Sequence, residues 1–174
     1  YFNLCKKNKI HVIHNTVRDT NVKKKYNKGK IKLAYLGYLS QDRNIDQIFK
    51  FIEQNPNIEL HIACNYISEK LQHTIPNLEN IIFHGRLKHK DAQKLLSGMD
   101  YCLLMYDSNL GSYQYIQPTK FYDCLLIGLP YICSKGMINL EKHVNNETEN
   151  ISWKYGMSMN NLPLKNTSFC EYGR

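Results

Sequence analysis

Hydrophobic positions along this chain alternate between two periods. From Ile31 onward, short apolar runs are separated by segments whose apolar residues recur at helical spacing. IKLAYLG predicts a strand ending at Gly37. In IDQIFKFIEQ, Ile45, Ile48, Phe49 and Ile52 share one helix face, and IELHIAC is the next strand. The rhythm continues with a short helix around 68–73, a strand in NIIFHG, a helix in KDAQKLLSGM, a strand in DYCLLMY, a helix from Pro118 and a strand in LPYICS. Strand and helix in alternation imply a parallel sheet with helices on both faces, a doubly wound, Rossmann-like α/β fold.

Outside that rhythm the pattern weakens. KIHVIHNTV reads as an additional edge strand or a hinge segment entering from elsewhere, and NISWKYG as one more strand. The expected organisation is an edge strand or hinge with a basic linker over 1–30, a Rossmann-like domain over 31–156 and a tail over 157–174. The chain is expected to begin and end in the middle of something larger.

In the usual doubly wound order the strand at 31–36 is central, the strand at 100–105 lies beside it, and ligands bind past the carboxyl ends of the two. The loops leaving that point are 37–43 and 107–117. The second is long, has no pattern of its own and is rich in Tyr, Gly, Ser, Asn and Gln, which suits a binding loop. It leads into QPTKFYDCLLIGLP, a buried-looking helix whose only charges are Lys120 and Asp123. Lys120 falls in the first turn, where the macrodipole is already positive, so something negative is expected beside it. A cation with free amides at a helix start makes a phosphate site, and Arg43 just before the helix at Ile45 repeats the arrangement. Asp123 either accepts a ribose diol or forms a plain i,i+3 pair with Lys120.

Composition narrows these readings. A chain of 174 residues, 43% hydrophobic, holds one complete core and not two large domains. Its apolar runs fall far short of the roughly 20 residues a membrane span needs, and YFNLCKKNK does not read as a signal peptide. Six scattered cysteines without a C-x-x-C pair suit reduced thiols in the cytoplasm. The histidines show no ligand spacing, so no metal is assigned; His11, His61 and His84 read as core or edge residues. The net charge of +8 is local, because residues 1–32 hold ten Lys and Arg against Asp19 alone. KKKYNKGKIK reads as a solvated linker first, a contact for an anionic membrane surface second, and a nucleic-acid contact last. GYLSQDRN after the first strand lacks both the dinucleotide fingerprint and the P-loop, so neither NAD nor ATP cradling has a sequence basis.

VIHNTVRD, LAYLGYLSQDRNID, IIFHGRLKHKD and PTKFYDCLLIGLPYICS, in this order and at these separations, resemble the C-terminal half of a GT-B glycosyltransferase of the retaining, glycogen-synthase-like superfamily. The resemblance covers roughly residues 10–156. It implies a domain that binds a nucleotide-diphosphate-sugar donor (a UDP- or GDP-sugar), uses no further cofactor, and works with an N-terminal acceptor-binding domain that this chain does not contain. It implies hexosyl transfer to a polysaccharide or lipid-linked acceptor in a bacterial cytoplasm, at the inner face of the membrane if the basic segment binds lipid.

The family's phosphate turn matches Gly37 and Arg43, with Tyr38 where an arginine is common. Lys120 joins them at the diphosphate, and Asp123 takes the ribose with a shorter side chain than the family's glutamate. Gly85, Arg86 and Leu87 match the turn that meets the nucleobase. Tyr113, Tyr115 and Gln117 belong to the loop beside the donor sugar. Tyr115 stands where the family has a second glutamate, so no catalytic residue is assigned in this chain. A sugar-nucleotide epimerase half and a non-catalytic α/β domain with a decayed donor pocket are the alternatives.

Overall fold

The computed structural model describes residues 13, 15–18, 20–26, 28–145, 150–153, 159 and 162–164. In chain order the elements are β1 (Ile31–Leu36), α1 (Ile45–Gln54), β2 (Ile58–Ala63), α2 (Glu69–Gln72), β3 (Ile81–Phe83), α3 (His89–Ser97), β4 (Tyr101–Leu104), α4 (Thr119–Ile127), β5 (Tyr131–Ser134), α5 (Ile138–Glu141) and β6 (Ile151–Trp153). All strand pairs are parallel, and the order across the sheet is β3-β2-β1-β4-β5-β6. β1 is therefore central, with β4 beside it, as the sequence pattern implies.

Successive strand residues point to opposite faces, and each face carries its own core. On one, Leu33, Leu60, Ile62, Leu103 and Ile132 pack against Ile45, Ile48 and Ile52 of α1 and Leu71 of α2. On the other, Ala34, Cys102, Leu104, Tyr131 and Cys133 meet Leu96 of α3, Phe121, Cys124 and Ile127 of α4, and Leu140 of α5. The helices change face between β3 and β4, where the strand order also turns back toward β1. Each fully buried Leu or Ile contributes about 1.5–3 kcal/mol relative to exposure, so both layers are needed to hold β1 and β4 in place under the site.

The structure departs from the sequence reading at several points. The described part of KIHVIHNTV is not a strand, and the rest of that stretch lies outside the described residues. Instead, the segment before β1 straps across α3: the Lys25 amide donates to Ser97 O at 2.7 Å and Lys24 Nζ to Met99 O at 2.6 Å. Part of the basic stretch thus sits where the macrodipole of α3 is negative, which favours a cation. The loop 107–117 carries a 3-10 helix at Gly111–Tyr115. The helix of QPTKFYDCLLIGLP is not buried all round, because Leu125 and Leu126 are exposed. It ends as its glycine requires, with Gly128 at φ 76°. NISWKYG gives the short strand β6, α5 was not foreseen, and most of the 157–174 tail lies outside the described residues. Cys64, Cys102, Cys124 and Cys133 are free thiols. Among the described residues no helix is long and apolar enough to cross a membrane.

Candidate functional site

The two loops that leave the switch point are bound to each other. After β1 the chain turns at Gly37 (φ 149°), whose amide donates to Ala63 O at 3.0 Å and is therefore spent within the fold. The buried Tyr35 hydroxyl donates to Tyr38 O and holds the turn from below; burial pushes the pKa of that phenol far up, so it stays a neutral donor. A single 3-10 turn, Gln41–Arg43, follows, and Asn44 in the left-handed region (φ 55°) redirects the chain into α1. Asp42 joins this loop to the other: its carbonyl accepts from the Asp107 amide at 2.9 Å and its Oδ2 from the Tyr113 hydroxyl at 3.0 Å.

Arg43 lies inside that junction. Its guanidinium carbon is 3.9 Å from the centre of the Tyr106 ring and 5.4 Å from that of Tyr113, cation–π contacts with two rings that themselves pack edge to face with their centres 5.7 Å apart. Nε is 3.4 Å from Asp42 Oδ2, yet it is buried and has no hydrogen-bond partner. A partly exposed cation with one buried, unmet donor suits an anionic ligand.

Beside Arg43 opens a cavity of about 340 Å³, bounded by the ends of β1 and β4 and by Lys120. Among the described residues no carboxylate lines it. A second cavity of about 280 Å³ shares Leu36, Gly37, Asn65 and Lys120 with the first and extends to Arg86, Leu87, His89, Thr119 and Asp123. A wide, shallow depression of about 770 Å³ continues outward past Cys64, Asn65 and Arg86 to Gly85, Tyr66 and Phe83. The three form one cleft over the carboxyl ends of β1, β2 and β4, where an open α/β sheet binds its ligands.

Lys120 is the second residue of α4 and borders both inner cavities. It forms no ion pair among the described residues, and the i,i+3 pair with Asp123 is not made. The Asp123 carboxylate is buried and turns instead to α3: Oδ1 accepts from Gln93 Nε2 at 2.7 Å and meets His89 Nε2 at 3.0 Å. The cleft thus brings together Gly37, Arg43, Lys120, Asp123, Gly85, Arg86 and Leu87 of the residues singled out in the sequence.

It does not gather Tyr113, Tyr115 and Gln117, none of which lines these cavities. Tyr113 is engaged by Asp42, and Tyr115 is exposed while its carbonyl accepts from Asn139 Nδ2. Gln117 accepts from the Tyr122 hydroxyl and, through its carbonyl, from Asn15 Nδ2. Sequence reasoning passed over Asn65, which touches all three cavities, and Thr119 and His89, which line the second. Asn65 follows β2 and could have been found as the third loop at the same edge of the sheet.

No protein-family model and no curated protein matches the chain. Among solved structures, two crystal structures of the glycosyltransferase GlyE of Streptococcus pneumoniae TIGR4, one of them the apo form, are similar to it. Their TM-scores are 0.51 and 0.50, each at 14% sequence identity, over 74% and 72% of this chain. The chain spans 30% of the GlyE chain in both cases. At this identity the likeness is one of fold: a parallel α/β domain like one found in a glycosyltransferase.

Proposed function

We propose that this chain is the donor-binding domain of a glycosyltransferase and that its cleft takes a nucleoside-diphosphate sugar. One observation carries the reading: Arg43 of the turn after β1 and Lys120 of the first turn of α4 border one cavity at the switch point, and no carboxylate among the described residues lines it. An anion fits there, and a diphosphate reaches both cations. Lys120 adds the unpaired amides at the start of α4, which point the same way as its charge. The second cavity is the place for the ribose, beside Asp123 and His89. The depression past Gly85 and Arg86, with Tyr66 and Phe83 on its rim, is the place for the base.

In transfer, Arg43, Lys120 and the helix amides hold the diphosphate and stabilise its charge as it becomes the leaving group. The acceptor comes from a separate domain, because the reaction needs both substrates held in one cleft; a polysaccharide or lipid-linked acceptor is the proposed class. A cytoplasmic site of action, at the inner membrane face if the basic segment binds anionic lipid, belongs to the same proposal.

A second reading, a non-catalytic domain with a decayed pocket, is favoured by the engagement of Arg43 with Asp42, Tyr106 and Tyr113. Calorimetric titration of the purified chain with UDP and GDP separates the two. The donor-site reading expects one-site binding of at least one of them; no binding of either supports the decayed pocket.

A further inference from the structure

We propose that the cleft recognises the hydroxyls of the ligand's ribose through His89, with Asp123 as the positioning residue behind it. This rests on the nucleotide-binding reading and changes which residue makes the contact. The Asp123 side chain is only 4% exposed, whereas that of His89 is 46% exposed and lines the same cavity. A ligand entering beside Lys120 and Thr119 therefore meets the imidazole before it can reach the carboxylate.

The hydrogen bonds around Asp123 fix the polarity of that imidazole. Gln93 is wholly buried; its Oε1 accepts from the Thr20 hydroxyl, and its Nε2 donates to Arg18 O at 3.2 Å and to Asp123 Oδ1 at 2.7 Å. The amide thus has its nitrogen on the Asp123 side. His89 Nε2 meets the same Oδ1 at 3.0 Å. A bare ring nitrogen there would set a lone pair against a carboxylate oxygen, so Nε2 carries the proton and donates. Nδ1 of the neutral ring is then an acceptor, and it has no partner among the described residues. An acceptor on a side chain that lines a cavity whose other polar groups include the donors Arg86, Thr119 and Lys120 fits a ligand group that donates, as a ribose hydroxyl does. Asp123 and Gln93 supply orientation, and the strap at Arg18 and Thr20 holds Gln93.

The test is a set of calorimetric titrations of the full chain with UDP and GDP and with their 2′-deoxy and 3′-deoxy analogues. The unaltered protein, His89→Ala and Asp123→Asn are compared, and the fold of each is checked by thermal melting. The unaltered protein should prefer the ribonucleotide over at least one deoxy analogue by roughly tenfold, the size of one well-made hydrogen bond. His89→Ala should abolish that preference while leaving affinity for the same deoxy analogue within about threefold, and Asp123→Asn should lower the preference by an intermediate amount. If His89→Ala weakens the ribonucleotide and deoxy forms equally, or keeps the preference, the proposal is wrong. If Asp123→Asn abolishes the preference and His89→Ala keeps it, the contact belongs to Asp123. Failure of the unaltered chain to bind any of these nucleotides overturns the nucleotide-binding reading itself, and this inference with it.

Discussion

Replacing Lys120 with Ala should move stability and ligand affinity in opposite directions. In the empty protein the lysine sits at the second position of α4, within the positive end of the helix dipole, and has no ion-pair partner among the described residues. The nearest candidate, Asp123, is already held by Gln93 and His89. Removing the charge therefore relieves an unfavourable contact of about 0.3–1 kcal/mol, partly offset by the loss of a half-buried aliphatic stem. The melting temperature should stay level or rise by up to about 2–4 °C. In the complex, the same change deletes a charge-assisted bond to a diphosphate worth about 1.5–3 kcal/mol, so affinity for UDP or GDP should fall roughly tenfold to a hundredfold. Thermal melting without ligand and calorimetric titration with nucleotide read the two effects separately. A lower melting temperature with unchanged affinity would refute the reasoning and make Lys120 a structural residue.

Replacing Lys23, Lys24 and Lys25 with Gln should leave nucleotide affinity within about twofold at physiological salt, because Lys24 and Lys25 bind the end of α3 beside the amino ends of β1 and β4, the opposite end of the strands from the cleft, beyond the roughly 8 Å screening length. The same variant should lose about 0.5–1 kcal/mol of stability through the Lys24 contact with Met99 O, measured by urea titration. His61 is held below the ordinary imidazole value of 6.5, chiefly by burial and against the raising effect of Glu59. The unfolded chain then binds a proton that the folded chain refuses, so stability is full above pH 6.5 and declines as pH falls from there toward the lowered folded value. Melting at pH 7.5 and 5.5 should show this decline, and His61→Gln should flatten it. Gly128→Ala should cost about 1 kcal/mol from backbone strain alone, since φ is 76° and no atom lies within 4 Å of the added methyl; denaturant titration checks it.

The parts of this molecule legible in its sequence are those set by local period. The apolar spacing of α1, the alternating strands and the Gly128 stop are each written in fewer than a dozen neighbouring residues, and the βα alternation then fixes the face and order of the strands. Placement of Lys120, Arg43 and Arg86 around one cleft followed from that order. What was not legible depends on side chains meeting across elements. His89 and Gln93 reach Asp123 from another helix, 34 and 30 positions away, and no periodicity reports such a meeting. Arg43 packs against the paired rings of Tyr106 and Tyr113 because two loops share Asp42, a closure that neither loop reveals alone. The strap before β1 has too few apolar residues to mark it as packed; its hydrogen bonds to the end of α3 hold it.

The claim that a nucleotide occupies the cleft over β1 and β4 is tested most directly by nuclear magnetic resonance of the ¹⁵N-labelled chain during titration with UDP or GDP. Amide shifts are predicted to concentrate at Gly37, Asn65, Arg86, Thr119 and Lys120, with Lys24 and Lys25 at the amino ends of the central strands unchanged. Shifts confined to those amino ends, or none at saturating concentrations of both nucleotides, would contradict it.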